Sequence, residues 1–236
     1  MINHDVTLMS REKKETKYNR AMDVLHADSS ILVVIKPAGL ATVPGGWESE
    51  TSLAEQLESD YGRIWVVHRL DKSTSGLVVF ARTAESHRHL SLQFERHQAE
   101  KVYHAIVIGE PAWSAYTARQ PLRIDVGHSH RTIVDHRRGK PSETTFRVME
   151  RFDGYALLAA VPATGRTHQV RVHAYALGLP LLGDRRYGAP PSDLIGRPAL
   201  HARTLGFTHP DTLEHLSFSA PYPQDFEIVL RYLRGK

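Results

Sequence analysis

Cysteine is absent from the 236 residues of the chain. This absence excludes a disulfide framework, a thiolate nucleophile, cysteine-ligated zinc and iron–sulfur chemistry, and it is consistent with a reducing compartment. Long apolar runs are also absent: Ile31–Ile35 is much shorter than the roughly 20 residues of a membrane helix, and the charged N-terminus lacks the apolar segment of a secretory signal. We therefore expect a cytoplasmic protein with no membrane partner.

Motifs for cofactors are missing as well. The sequence contains no G-x-G-x-x-G, no complete P-loop and no G-x-S-x-G nucleophile elbow. Its 15 histidines form no H-E-x-x-H pair, and no Asp or Glu completes a ligand set in the histidine-rich stretches. We expect no metal, nucleotide or flavin cofactor, so any chemistry must depend on side chains alone.

Lysine is scarce relative to arginine: 8 of the 30 basic residues are Lys and 22 are Arg, and the net charge is +4. Arginine pairs bidentately with phosphate and stacks on bases, which lysine cannot do. GC-biased codon usage would produce the same excess without any functional meaning. Composition alone therefore permits an anionic partner but does not require one.

The chain divides into a polar extension and one globular part. Residues 1–21 are polar and aperiodic, which predicts a flexible N-terminal extension. Residues 22–236 show globular patterning with no repeat or linker. Strands outnumber helices and do not alternate with them regularly, which predicts an α+β domain on a mixed, largely antiparallel sheet flanked by helices and loops.

Alternating and β-branched runs predict the strands, and capping signals predict the helices. The predicted strands are Ile31–Lys36, Ile64–Val67, Leu77–Ala81, Lys101–Gly109, Glu143–Arg151, Tyr155–Val161, Leu200–Phe207 and Glu214–Ser219. The predicted helices follow Ser52, cover about 84–97, and span Thr167–Leu177 and Pro223–Arg234. The stretch Arg119–Lys140 is rich in Arg and His and weakly periodic, which favours a functional loop or β-arm over a plain solvated excursion.

One polar cluster, HRLDKSTSG at His68–Gly76, lies between two apolar strands. Functional sites are commonly built at such a place, where rigid flanks fix the side chains. Asp71 is the only carboxylate of the cluster and is flanked by two cations, so it should stay ionised. Alternatively, Asp71 caps a turn in which Ser73 and Thr74 bond the backbone. Spacing alone leaves both interpretations open.

A second cluster, GRTHQVRVH at Gly165–His173, opens a predicted helix. Free N–H groups and the helix dipole attract anions at such an end. Arg171 follows His168 by three residues on the same helical face, and if it is half buried it needs a carboxylate partner. An ordinary helix start with solvated cations fits the pattern equally well.

At these two clusters the chain resembles the RluA-type pseudouridine synthases, over about residues 22–222. The matching segments are Ile31–Gly39, the complete H-R-L-D-x-x-T-S-G signature at 68–76, Lys101–Tyr103 with Ala105, Gly165–His173, Gly183-Asp184 with Tyr187-Gly188, and Leu200–Ala202. The resemblance implies an isomerase that converts uridines of ribosomal or transfer RNA to pseudouridine. A catalytically silent RNA-binding or chaperone protein on the same fold is the alternative, and a hydrolase using Asp71 is weaker because glycosidases usually need two carboxylates.

The resemblance also implies residue roles. Asp71 falls on the catalytic aspartate, Tyr103 on the active-site tyrosine and Arg171 on the arginine that pairs with the aspartate. Leu200 falls on the apolar residue under the base, and Arg69 on the arginine linked to flipping the nucleotide.

The remaining expectations concern the RNA. Candidates for contacts with it are Arg166, His168, Gln169, Arg137, Arg138 and the Arg185-Arg186 pair. Family members often carry an N-terminal S4-like RNA-binding domain, for which about 21 residues are too few. We therefore expect the short form of the family, acting as a monomer without a cofactor.

Overall fold

The computed structural model describes residues 23–45, 51–127 and 131–235. In these ranges the chain forms twelve strands, four α-helices and one short 3-10 helix. The strands are β1 (Asp23–Ala27), β2 (Ile31–Lys36), β3 (Trp65–Val66), β4 (Ser75–Ala81), β5 (Glu100–Ile108), β6 (Ala115–Ala118), β7 (Leu122–Val126), β8 (Arg131–Val134), β9 (Thr144–Phe152), β10 (Tyr155–Pro162), β11 (Leu200–Thr208) and β12 (His215–Ser219). The helices are α1 (Leu53–Tyr61), α2 (Ala84–Glu95), α3 (Gln169–Ala176) and α4 (Gln224–Leu233), with the 3-10 helix at Arg185–Tyr187.

Ten strands form one mixed sheet, and β7 and β8 form a separate antiparallel arm. The main order is β1-β2-β4-β11-β5-β10-β9-β6, with β3 beside β4 and β12 beside β11. All pairings in it are antiparallel except that of β4 with β11. The predicted α+β class and largely antiparallel sheet are therefore confirmed.

Local chemistry fixes the ends of the helices. Ser52 caps α1 in a complete capping box with Glu55, and the Thr83 side chain accepts the Ser86 N–H at the start of α2. Gly178 follows α3 with φ +75°, which continues the chain out of the helix. These three ends follow the signals in the sequence.

Each helix packs an apolar face on the sheet. Leu57 of α1, Leu90 of α2, Val170 of α3 and Phe226 of α4 each belong to a different cluster of buried side chains. Tyr103 on β5 contacts both the α1 and the α3 clusters. It therefore lies where the two halves of the core meet.

The two halves of the sheet join through a very short parallel contact. Ser75 and Gly76 of β4 pair with His201 and Ala202 of β11, and no other residues pair between these strands. Gly76 has φ +118°, and a Cβ built on it would lie 2.2 Å from the Ala202 carbonyl oxygen. Only glycine permits this close approach of two backbones.

Several sequence expectations need correction. Strands β1 and β6 were not predicted, because with five and four residues they are too short to show a clear periodicity in the sequence. Helix α3 begins at Gln169 and not Thr167, because His168 adopts a left-handed conformation with φ 57° and Arg166 N–H bonds the Gln169 side chain. The 119–140 stretch contains the β7–β8 arm, while the expected extension at residues 1–21 lies outside the described residues.

We expect Gly76→Ala to destabilise the protein by about 2 kcal/mol or more, because alanine combines an unfavourable positive φ with a clash against β11. Urea unfolding measures the loss. Gly45→Ala is the matched control, since its added Cβ meets nothing within 4 Å and its φ is not in the positive region. Equal stability of the two variants would contradict the close approach.

Stability should fall as the pH falls from about 6.5 towards 4. Burial lowers the pKa of His68 to about 3, and of His104 and His201 to about 4. These histidines stay neutral in the folded protein while the unfolded chain takes up protons, so their contribution is complete above pH 6.5 and is lost below it. Urea unfolding between pH 4.5 and 7 measures this slope, which His68→Gln should reduce and His97→Asn, at an exposed position, should not.

Candidate active site

A cleft opens above the parallel contact of β4 with β11. Its lining comes from the loop before β4, from β5 and β11, and from the segment that leads into α3: Arg69, Leu70, Asp71, Thr74, Lys101, Tyr103, Pro162, Thr164–Arg171 and Leu200. The two sequence clusters, almost 100 residues apart, therefore face each other across one cleft. Eight of the ten predicted site residues line it.

The loop that carries Asp71 is held by backbone contacts. Thr42 Oγ1 donates to the Leu70 carbonyl and accepts the Leu70 N–H, at 2.9 and 3.1 Å. The buried Lys36 ammonium donates to the carbonyls of Pro37, Leu40 and Lys72. Burial lowers the pKa of Lys36 to about 7, although the Asp71 charge acts in the opposite direction. Hydrogen bonds to the backbone of Leu70 and Lys72 thus fix the loop on both sides of Asp71.

Arg171 joins Asp71 to a second aspartate. Its Nε and Nη2 donate to both carboxylate oxygens of Asp184 at 2.7 and 2.8 Å, and its Nη1 lies 3.3 Å from Asp71 Oδ2. Burial opposes the charge of Arg171, but the hydrogen bonds and charge of Asp184, and the charge of Asp71, raise its pKa. The Asp71 side chain is 25% exposed and that of Asp184 is 1% exposed. Arg171 therefore presents a permanent positive charge to a carboxylate that remains open to the cleft.

His168 approaches the same carboxylate oxygen as Arg171. Its Nε2 is 3.8 Å from Asp71 Oδ2, and its Nδ1 is 2.8 Å from the Tyr187 hydroxyl. Burial lowers the pKa of His168, partly opposed by Asp71. The imidazole is therefore neutral near pH 7.

Tyr103 and Leu200 form the apolar floor of the cleft. Leu200 is buried, and Tyr103 packs against the same cluster as Leu200. Burial, and then the negative charge of Asp71, raise the pKa of the Tyr103 hydroxyl. Its ring offers a flat uncharged surface next to the carboxylate.

Gln169 and Arg166 shape the rim. The buried Gln169 amide donates to Glu143 O and Thr144 Oγ1 and accepts from Thr164 Oγ1 and Arg166 N–H. Its side chain is therefore fully occupied in holding the loop before α3. The Nε atom of Arg166 is buried and has no hydrogen-bond partner among the described residues.

The other predicted contacts lie further out. Arg69 is exposed at the mouth of the cleft. Arg137 and Arg138 do not line it: they are exposed in the turn after β8, where their N–H groups donate to Asp135. Arg186 lines a wider groove on the other side of Asp71, together with Lys72 and Arg197.

A family model described as RNA pseudouridylate synthase matches residues 30–176. The chain belongs to this family. The dual-specificity RNA pseudouridine synthase RluA of Pasteurella multocida is 38% identical over 203 residues, which are 85% of this chain and 93% of the relative. RluA of Escherichia coli K12 is 39% identical over 84% and 92%, and the ribosomal large subunit pseudouridine synthase D of Zymomonas mobilis is 34% identical over 90% and 73%.

Solved structures agree with these matches. Human RNA pseudouridylate synthase domain containing 4 superimposes with a TM-score of 0.75 at 25% identity, covering 90% of this chain and 93% of the other. Human RNA pseudouridylate synthase domain containing 1 gives 0.73 at 26% identity, covering 94% and 98%. The protein is thus an RNA pseudouridine synthase of the RluA type, an isomerase, as the sequence motifs predict.

Sequence reasoning overlooked two residues of this pseudouridine synthase site. Asp184, the bidentate partner of Arg171, stood in a recognised motif but received no role. The signal for it was the expectation that a buried arginine needs a carboxylate. Lys36 likewise lies in the first motif. A lysine at the end of a strand is usually exposed, so the sequence did not indicate that it is buried.

One further group outside the cleft has the spacing of a metal site. His26, Asp28 and His209 lie together at the turns beside β1 and β11. However, His209 Nδ1 accepts the N–H groups of Asp211 and Thr212, so its Nε2 carries the proton and donates to Asp28 at 3.0 Å. The group is a hydrogen-bonded cluster.

Within the described ranges, no helix has the length and apolar character needed to cross a bilayer.

We expect Asp184→Asn to destabilise the enzyme by about 3 kcal/mol or more, because it leaves Arg171 buried with only one carboxylate. Urea unfolding gives the loss. Asp225→Asn is the control: Asp225 binds Arg197 with the same bidentate geometry, at 2.7 and 2.8 Å, but is 44% exposed. A loss at Asp225 as large as that at Asp184 would show that burial does not determine the strength of the pair.

Proposed function

We propose that Asp71, Tyr103 and Arg171 are the catalytic residues of this pseudouridine synthase and that the substrate is a uridine of ribosomal (large-subunit) RNA, transfer RNA or both. The observation that carries the assignment is an aspartate held by Arg171 above a floor of Tyr103 and Leu200. Residues 22–236 act as one catalytic domain. The enzyme works as a cytoplasmic monomer without a nucleotide cofactor.

Asp71 acts on the sugar. The C1′–N1 bond breaks with its electron pair on the uracil, and positive charge develops at C1′. The carboxylate either stabilises this charge or adds to C1′. After the uracil turns, its C5 bonds to C1′, and any bond from the carboxylate to C1′ breaks and returns its electron pair to Asp71. The C5 proton leaves to water and N1 takes up a proton from water, so the nucleoside keeps its composition. Arg171 orients the carboxylate through Nη1, and its bidentate bond to Asp184 holds the guanidinium in place.

Tyr103 and Leu200 hold the base. An aromatic ring and an aliphatic side chain bind the detached uracil without fixing its rotation, which the reaction requires. Proton removal from C5 by a Tyr103 phenolate is disfavoured, because burial raises the pKa of the phenol. We therefore assign the packing role to Tyr103.

Side chains around the cleft bind the RNA. A stacked uridine must be extruded to reach Asp71, and the exposed Arg69 at the mouth is placed to support the flipped state. Arg166 and His168 contact the nucleotide at the rim, while Gln169 supports their loop. Arg137 and Arg138, in the turn after β8, contact phosphate at a distance from the reacting base.

The alternative, a silent RNA-binding protein on the same fold, would need a broken catalytic set. Asp71, Tyr103 and Arg171 are all present and share one cleft. The relatives are named as synthases. Nothing favours this alternative.

The test uses in vitro transcripts of large-subunit ribosomal RNA and of transfer RNAs, labelled with tritium at uridine C5, without metal or nucleotide beyond the buffer. Wild-type enzyme should release tritium to water from at least one transcript. Asp71→Asn should abolish release and leave the Kd for that RNA within a few-fold, because it removes a transition-state interaction.

Asp153→Asn, at an exposed aspartate in the turn between β9 and β10, is the matched control and should keep full activity. Release by Asp71→Asn at a near wild-type rate would refute the catalytic assignment. Release from neither class of transcript by the wild type, with binding retained, would favour the silent RNA-binding protein.

A further inference from the structure

Tyr187 is the buried tyrosine behind the active site. Its side chain is 1% exposed, and its hydroxyl makes two hydrogen bonds: it accepts the Thr132 N–H of β8 at 3.1 Å and lies 2.8 Å from His168 Nδ1. Its ring lies between two guanidinium groups, with Arg131 at 5.1 Å and Arg171 at 5.0 Å from the centroid. Ring and hydroxyl are thus both fixed.

The direction of these bonds follows from the donors available. Thr132 N–H can only donate, so it uses one lone pair of the tyrosine oxygen. The hydroxyl proton then has His168 Nδ1 as its acceptor, which places the imidazole proton on Nε2. That nitrogen faces Asp71, at 3.8 Å from Oδ2.

The tautomer matters because of the charge it faces. An Nε2–H group turned towards the carboxylate stabilises the anion and can donate to an oxygen of a bound nucleotide. The other tautomer would direct a lone pair at Asp71, and the two would repel. Burial lowers the pKa of His168, so its imidazole is neutral and either of its two nitrogens can carry the single proton.

The local backbone also supports this placement of His168. His168 adopts φ 57°, which is uncommon for a residue other than glycine. Tyr187 closes the turn that begins at Asp184, and the Tyr187 N–H donates to the Asp184 carbonyl at 3.0 Å. A single short turn therefore supplies one partner to Arg171 and another to His168, the two side chains that approach Oδ2 of Asp71.

We propose that Tyr187 is a positioning residue that holds His168 as the Nε2–H tautomer against Asp71. The inference rests on the proposed function, in which Asp71 is the catalytic carboxylate. Tyr187 itself does not touch the nucleotide.

The first measurement is the nitrogen-15 NMR spectrum of the imidazoles in the wild-type protein. The signals of His168 are assigned as those that disappear in the spectrum of His168→Gln. We expect a protonated Nε2 and an unprotonated Nδ1 for His168, and a mixture of tautomers in Tyr187→Phe. A protonated Nδ1 in the wild type, or an unchanged tautomer in Tyr187→Phe, would overturn the proposal. The wild-type spectrum decides even if the variant fails to fold.

The second measurement is the single-turnover rate of tritium release beside the Kd for the same RNA. Tyr187→Phe keeps the ring between the two arginines, so we expect a rate about tenfold lower with a Kd within about twofold. Tyr175→Phe removes a hydroxyl from a neighbouring, exposed ring and should change neither value.

A double-mutant cycle shows whether Tyr187 acts through His168. In the His168→Gln background, Tyr187→Phe should cause no further loss of rate. A tenfold loss that persists there, or a single variant as fast as the wild type, would contradict the proposal. Activity of Asp71→Asn would refute the catalytic assignment instead, and it would leave the NMR result untouched.

Discussion

The buried ion pair between Arg171 and Asp184 is the interaction on which the site depends. Two charges leave water only when both are fully hydrogen-bonded, and here Asp184 binds two of the three guanidinium nitrogens. The third nitrogen is turned to Asp71, in the cleft. The desolvation of one pair thus leaves a fixed cation beside a carboxylate that stays accessible to substrate.

The chain supplies the parts of this arrangement from distant segments. Asp71 precedes β4, Arg171 lies in α3, and Asp184 begins the turn that ends at Tyr187. The β4–β11 contact brings the first of these under the other two, since Gly76 lets the strands approach as backbone against backbone. The packing of backbone therefore sets the position of the Asp71 loop, and the Arg171 side chain contacts the carboxylate.

Much of this could be predicted from the sequence, because local signals were consistent with the final fold. The alternation of Lys101–Gly109 placed Tyr103, Ala105 and Val107 on one face, and the structure places them in one core cluster. Capping residues located the ends of α1 and α2. The motifs indicated the family, and with it the aspartate that we propose as catalytic.

The remainder depended on long-range contacts that spacing does not encode. The four internal bonds of Gln169 hold the loop before α3, and they delay the start of α3. The left-handed conformation of His168 is a response to that loop and to Tyr187. Strands β1 and β6 are too short to be identified from their own sequences, and each is defined by its pairing, β1 with β2 and β6 with β9.

The main sheet ends in β1 on one side and β6 on the other, and the parallel contact under Asp71 lies in its interior. A segment fused or inserted beyond either margin would therefore have at least two strands between it and the parallel contact under Asp71. Such an addition could bring new RNA-recognition surface without disturbing the register at the catalytic centre. The architecture separates the margins, where a segment can be added, from the interior, where the strand register fixes the position of Asp71.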